Sequence, residues 1–372
     1  MLARFWRVYP FLLAALCVPA HAQRWRIQYF YDQNDSTLTL LDLKFSSTQH
    51  GVATGYLTRK SNDKPVVLLT EDGGANWSLQ PVKEAGISLF LLDDKLGWMA
   101  GSKRIWKTED GGHVWRQLPK LPDIQTVYFL DAQRGWAAGE QKQIFETRDG
   151  GEHWTDLPAA AQPETNPDYT TYGSIAFADG RNGMITGWSL PPRGGSELPE
   201  WMIPETSVAR RERPRLSIML DTRDGGATWT PSTTSIFGRL ARVRMSPKGY
   251  GLALIEFTDM FEWPSEVFRL DWKAGGRSHR VYREKNRLIT DLAALPGGGG
   301  YLAGIEKSDK VPNSPIPGKL KIVASSDLDD WQDMDVDYRA TAHRAILAAL
   351  DADNAWVATD TGMILKLDRS RQ

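Results

Sequence analysis

Four aspartates recur in one setting. Asp72, Asp110, Asp149 and Asp224 each follow a threonine by two residues, precede two glycines and stand five residues before a tryptophan. The pattern Thr-x-Asp-Gly-Gly-x-x-Trp spans Thr70–Trp77, Thr108–Trp115, Thr147–Trp154 and Thr222–Trp229, with a worn fifth copy at Ser325–Trp331 built around Asp327. A carboxylate that recurs like this invites two chemistries, acid–base catalysis and calcium binding. Catalysis fails on logic, because four equivalent turns would need four equivalent active sites. Calcium fails on spacing, because Asp327, Asp329 and Asp330 lack the ligand frame of a calcium loop. The remaining reading is structural. Asp-Gly-Gly is hairpin-turn chemistry, in which the carboxylate accepts backbone N–H groups and glycine supplies positive φ cheaply. The tryptophan then opens the return strand and buries a large ring beneath it.

Other reactive groups are sparse. Glu256, Asp259, Glu262 and Glu266 cluster in sequence and offer the paired acids that glycoside hydrolysis requires. Surface loops carry such groups without purpose as well. The six histidines show no His-x-His or His-x-x-x-His spacing, so no zinc site is expected. His113 and His153 fall inside box turns and are expected to be exposed. Neither a phosphate-cradling glycine loop ahead of a helix nor a Gly-x-Ser-x-Gly elbow is present. No cofactor and no metal are expected.

The elements that carry these turns repeat. Ahead of each box lies a strand containing Gly-aromatic-x-x-Gly, clearest at Gly97–Gly101 and Gly135–Gly139. Gly51–Gly55, Gly183–Gly187 and Gly300–Gly304 follow the form, and looser versions begin at Gly249 and Ala355. Seven such units with a spacing of ~40–50 residues and four strands each lie in the propeller range. The third unit reads as strand A Thr126–Leu130, strand B Trp136–Gly139, strand C Ile144–Thr147 and strand D Trp154–Leu157, alternating with period two. Asp93, Asp131, Asp179 and Asp351 end their strand A and read as turn caps. The seventh unit lacks a fourth strand, and Trp25–Phe30 is free to supply it and close the ring.

The chain opens with Arg4 and Arg7, an apolar run Val8–Val18 too short to span a bilayer, and Ala20-His21-Ala22. This predicts a signal peptide over residues 1–22, cleavage after Ala22, and one propeller domain over 23–372 in the periplasm or outside the cell. The only cysteine, Cys17, leaves with the signal, and Leu16 argues against lipidation there. A cysteine-free exported chain suits an oxidising compartment. With 45 Lys and Arg against 46 Asp and Glu, the balance predicts no nucleic-acid binding.

Departures from a repeat are where function concentrates. The fourth unit carries an insertion of about 188–215, whose first half is acidic and whose second half holds Arg210, Arg211, Arg213 and Arg215, with Trp201 between. It reads either as a partner-binding loop or as a solvated insertion. The first, fifth and sixth units lengthen the same B–C connection at Thr58–Pro65, Glu256–Ser265 and Glu306–Gly318. The face bearing the B–C connections is therefore the candidate binding face. The fifth unit has no box, and alignment on Gly249 places its Arg242 and Arg244 at the positions of Tyr128 and Leu130 on the innermost strand. Two residues apart, they share one side. They either pair with carboxylates of the next blade or form an anion-binding pair in the channel.

The four intact boxes resemble the Asp-box, or BNR, repeat. With the Gly-Trp-x-x-Gly strands, the whole mature chain resembles the photosystem II assembly/stability-factor-like group of exported propellers. That resemblance implies an all-β, seven-bladed β-propeller closed by the N-terminal strand. It also implies a non-enzymatic factor that binds a periplasmic protein or a membrane protein complex. Asp boxes also occur in sialidases and other glycoside hydrolases, the rival class. Here Trp25-Arg26-Ile27-Gln28 lacks the proline of the sialidase Arg-Ile-Pro motif, and Trp201-Met202-Ile203-Pro204 lacks its arginine.

Overall fold

The computed structural model describes residues 23–33, 35–190, 214–257, 262–272, 277–306 and 317–368. Residues 1–22, the predicted signal segment, and residues 191–213 of the insertion lie outside them. Six consecutive runs of the chain each form an antiparallel sheet in simple meander order. The seventh sheet joins Ala345–Ala349, Ala355–Thr359 and Met363–Asp368 to Arg24–Phe30. The strand nearest the N-terminus thus becomes the fourth strand of the last blade, pairing antiparallel from Arg24 with Asp368 to Phe30 with Met363, and its outer edge meets the short parallel strand Asp335–Val336. This is the expected seven-bladed, all-β propeller with the expected closure.

Closure is a matter of packing as well as hydrogen bonds. Trp25 is fully buried and meets Tyr301 of the sixth blade edge-on at 5.8 Å. It opens a strand D, as the box tryptophans do, so it fills in the seventh blade the place a box tryptophan fills elsewhere.

The boxes act as latches. In each intact copy the threonine Oγ accepts the second glycine's N–H at 2.8 to 2.9 Å and donates to the aspartate at 2.9 Å. The same aspartate oxygen accepts the N–H four residues on. Both glycines are left-handed, with φ near 70° and 93° at Gly73 and Gly74, where side chains are strained. In the worn copy Leu328 takes that conformation at φ 71° while Asp327 still accepts two N–H groups. The first glycine N–H ties each box to the A–B turn of its own blade, as Gly150 does to Gln133 at 2.8 Å.

Blade meets blade through the same turns. Trp98 donates its indole N–H to the Gly150 carbonyl of the next blade at 3.0 Å, and Trp356 does the same to Gly73. Each of these rings stacks at 3.6 Å on the phenylalanine ending the next strand A, Phe129 and Phe45. The box tryptophan of that blade meets the phenylalanine edge-on. The cap aspartates Asp93, Asp131, Asp179 and Asp351 each accept two turn N–H groups, as expected.

Two sequence expectations need correction. Thr58–Pro65 is not a long connection, because strands Gly51–Arg59 and Asn62–Thr70 run to a tight turn at Lys60 and Ser61, both with positive φ. In the fifth blade Gly251, not Gly249, pairs with the end of strand A, at Met245. That register puts Arg244 at the position of Tyr128 and Arg242 at that of Thr126, two residues earlier than the sequence alignment placed them.

The box aspartates carry a pH signature. Their N–H and hydroxyl donors hold the Asp149 carboxyl at about 2, below the ordinary value of 3.8. A depressed folded value means stabilisation that is present above pH ~4 and is lost as pH falls towards 2. Asp149→Ala is expected to cost about 1–2 kcal/mol at neutral pH. Denaturation curves from pH 7 to 2 are expected to show the difference from wild type shrinking below pH 4. A difference that stays constant would contradict the assignment.

Candidate functional site

A propeller's innermost strands line its channel, and their inward N–H groups have no neighbouring strand to bond. In this chain the residue at the channel waist solves the problem for the next blade. Asp42 Oδ2 accepts the Leu89 N–H at 2.7 Å, Ser88 Oγ that of Val127 at 3.4 Å, Ser174 Oγ that of Val243 at 3.3 Å, and Asp291 Oδ2 that of Leu347 at 3.0 Å. A register shift in the strand turns the residue inwards at Asp42, Ser174 and Asp291.

Arg242 occupies the same position in the fifth blade and cannot accept. In the seventh, Ile346 cannot accept either. The blades that follow these two compensate themselves. Asp291 and Asp42 each use Oδ1 to accept the N–H of their own next residue, Leu292 at 3.0 Å and Leu43 at 2.9 Å.

The two arginines thus take the first of the two expected roles, pairing with a carboxylate of the next blade. Arg242 Nε lies 3.3 Å and Arg244 Nη2 3.5 Å from Asp291 Oδ1. Their side chains are still about a third exposed, at 31% and 29%, and that exposure is to the channel. Burial pushes the Asp291 carboxyl up, and the two guanidiniums, Lys44 and the Leu347 N–H outweigh it, so it sits below the ordinary range. Asp291 raises Arg242, whereas burial lowers Arg244. Lys44 completes the cluster at 2.7 Å from Asp42.

Above the waist, on the B–C side, the channel widens to a cavity of about 650 Å³. Arg239, Arg242 and Arg344 share its wall with Glu140, Glu256 and Asp360. At its rim Arg239 lies over the Trp188 ring at 5.1 Å and pairs with Glu256. Beside it, on the same face of the fifth blade, Trp263 lies under Arg283 at 4.0 Å and Lys285 at 5.0 Å. Rigid aromatics capped by cations are the composition of interface anchors. On the box face a cation also caps a tryptophan, Arg223 of the fourth blade's box lying over Trp272 at 5.7 Å, but the channel cavity on that side has fewer charged lining residues than the one on the B–C side.

Of the proposed partner-binding residues, the structure places Arg242 and Arg244 together in the channel and Arg215 on strand Pro214–Thr222 of the fourth blade. Trp201, Arg210, Arg211 and Arg213 lie outside the described residues, as does Asp259. The described candidate acids are already engaged: Glu256 with Arg239, Glu262 with Lys285 at 2.9 Å, and Glu266 with Arg280 and Arg283. His113 and His153 are exposed, as expected. The sequence reading missed Asp42, Lys44 and Asp291. Its available signal was an acid inside an apolar inner strand, in Leu40-Leu41-Asp42-Leu43 and again in Ile289-Thr290-Asp291-Leu292.

The molecule is therefore a seven-bladed propeller with a charged channel waist and one decorated face. The resemblance drawn from the box turns holds at the level of fold. The chain is similar to YCF48, a photosystem II assembly factor, in a structure described as bound to a D1 peptide, with 18% identity, a TM-score of 0.58, and 92% of this chain matched to 99% of that one. YCF48 from Cyanidioschyzon merolae matches equally well at 16% identity, with 92% and 98% covered. The extracellular domain of a one-component system from B. thetaiotaomicron is similar at 12% identity and a TM-score of 0.54, with 93% of this chain covering 40% of that one. No protein-family model and no curated protein matches the chain.

Asp291 is the keystone of the waist, so its loss leaves two guanidiniums and two N–H groups without their acceptor. Asp291→Ala is expected to cost about 3–5 kcal/mol, well above the cost of a box aspartate. A loss below about 1 kcal/mol in urea denaturation would contradict that role.

Proposed function

We propose that the protein is an exported, non-enzymatic propeller that binds a protein partner on its B–C face and serves as an assembly or stability factor for an envelope or membrane complex. The observation that carries this reading is the asymmetry of the two faces. The box face carries the same latched turn in the first four blades and a worn copy of it in the sixth. The B–C face of the fourth and fifth blades presents Trp188 with Arg239, Trp263 with Arg283 and Lys285, and the wide channel mouth. The fold's likeness to a propeller described as bound to a D1 peptide supports a peptide or protein as the ligand class. The pairing of Glu256, Glu262 and Glu266 with basic groups favours this reading over a glycoside hydrolase.

In this proposal Trp201 and the run Arg210, Arg211, Arg213 and Arg215 extend the same face and supply further anchors. The sequence before Gln23 supports secretion to the periplasm. Replacing Gly194–Arg213 by a short Gly/Ser link is expected to leave the melting temperature unchanged and to reduce partner recovery after crosslinking in the native periplasm. Charge reversal at Arg211 and Arg213 is expected to weaken capture most at low salt, where exposed charges are least screened. Undiminished recovery with the folded deletion variant would remove the insertion from the binding surface.

A further inference from the structure

The box-side half of the channel is a second cavity of about 290 Å³ that meets the B–C cavity at the waist, where Asp42, Ser88, Thr126 and Arg242 line both. Its wall has two parts. One is cationic: Lys44, Arg242 and Arg244 line it, and Asp42 is the acid among the lining residues. The other is apolar, formed by the ends of the inner strands, with Phe45, Phe90, Tyr128, Phe177 and Met245. Phe90 and Tyr128 have ring centres 4.8 Å apart, and Tyr128 and Phe177 stack at 5.1 Å, so these three rings make one continuous aromatic surface.

Charge and donor counts both leave a surplus at this point. Three cations face two carboxylates, Asp42 and Asp291. Those carboxylates are largely taken by backbone N–H groups that the fold itself must satisfy. Arg242 touches Asp291 through Nε, and its two terminal nitrogens have no acceptor among the described residues. A guanidinium offers five donors in a planar fork suited to a carboxylate. The Tyr128 hydroxyl also has no protein partner among the described residues, and burial pushes its pKa up to about 12, so it stays a neutral donor. Donors converging from three cations beside an aromatic wall, in a confined space, are the composition of a small-ligand pocket.

We propose that this half of the channel binds a small organic acid, its carboxylate held by Arg242, Arg244 and Lys44 and its apolar body lying on the Phe90–Tyr128–Phe177 surface. The surplus of one positive charge matches a monoanion. The aromatic wall, Lys44 and Arg244 line this cavity and not the B–C one, so small-acid binding is read out separately from partner docking on the B–C face.

Phenylacetate is a suitable probe, with acetate, inorganic phosphate and the neutral phenylacetamide as comparators, each titrated calorimetrically into the whole mature protein. The expected result is binding of phenylacetate at least roughly tenfold tighter than of acetate or phosphate, with phenylacetamide silent. Arg244→Gln and Lys44→Gln are each expected to weaken phenylacetate roughly tenfold, the loss of one charge-assisted contact. Lys44→Gln keeps the Arg242–Asp291 pair intact, so a folding defect in the arginine variant does not leave the question open. Absence of phenylacetate binding would overturn the proposal. So would binding that is unchanged in both variants, or phosphate binding as tight as phenylacetate.

Discussion

The inward backbone of seven inner strands must be satisfied without a neighbouring strand, and this constraint governs the centre of the molecule. In four of the seven blades the chain meets it with a residue that turns into the channel and accepts from the next blade. Asp42, Ser88, Ser174 and Asp291 do so directly. In a ring, every failure falls on a particular neighbour. Arg242 and Ile346 cannot accept, and the blades that follow them are the two with an aspartate at the waist, each capping its own strand with the spare oxygen. Those aspartates in turn draw Lys44, Arg242 and Arg244 into the channel. The most chemically loaded spot in the protein is thus also a repair of its backbone hydrogen bonding.

The outer layers divide labour differently. On one face, threonine, aspartate and two left-handed glycines build a turn rigid enough to receive the preceding blade's ring, as at Gly150 beneath Trp98 and Gly73 beneath Trp356. A face made of such turns is committed to stability. The opposite face has no such duty and is free to vary, and it holds Trp188 with Arg239, Trp263 with Arg283, and the long connections.

What was legible in the sequence followed from locality. The box turns, the cap aspartates and the open seventh blade each depend on residues within a few positions, or on a simple count of strands. The binding of Arg242 and Arg244 to the next blade's carboxylate was legible only as one of two alternatives, and their register was read two residues off. Gly249 imitates the leading glycine, but Gly251 is the one that pairs with the strand end. Asp42 and Asp291 were not legible, because an acid in an apolar strand has meaning only relative to what the preceding blade fails to supply. Trp188 and Trp263 likewise gain significance from Arg239 and Arg283, which come from other strands of the ring.

The claim on which the account rests is that one face binds and the other face holds the ring together. Photocrosslinking from single sites on the two faces tests it most directly. Lys285, on the B–C face, and Val114, in a box turn and 66% exposed, are suitable positions for a photoreactive residue. Partner crosslinks from position 285 with none from position 114 are the predicted result, and crosslinks from position 114 alone would contradict the account.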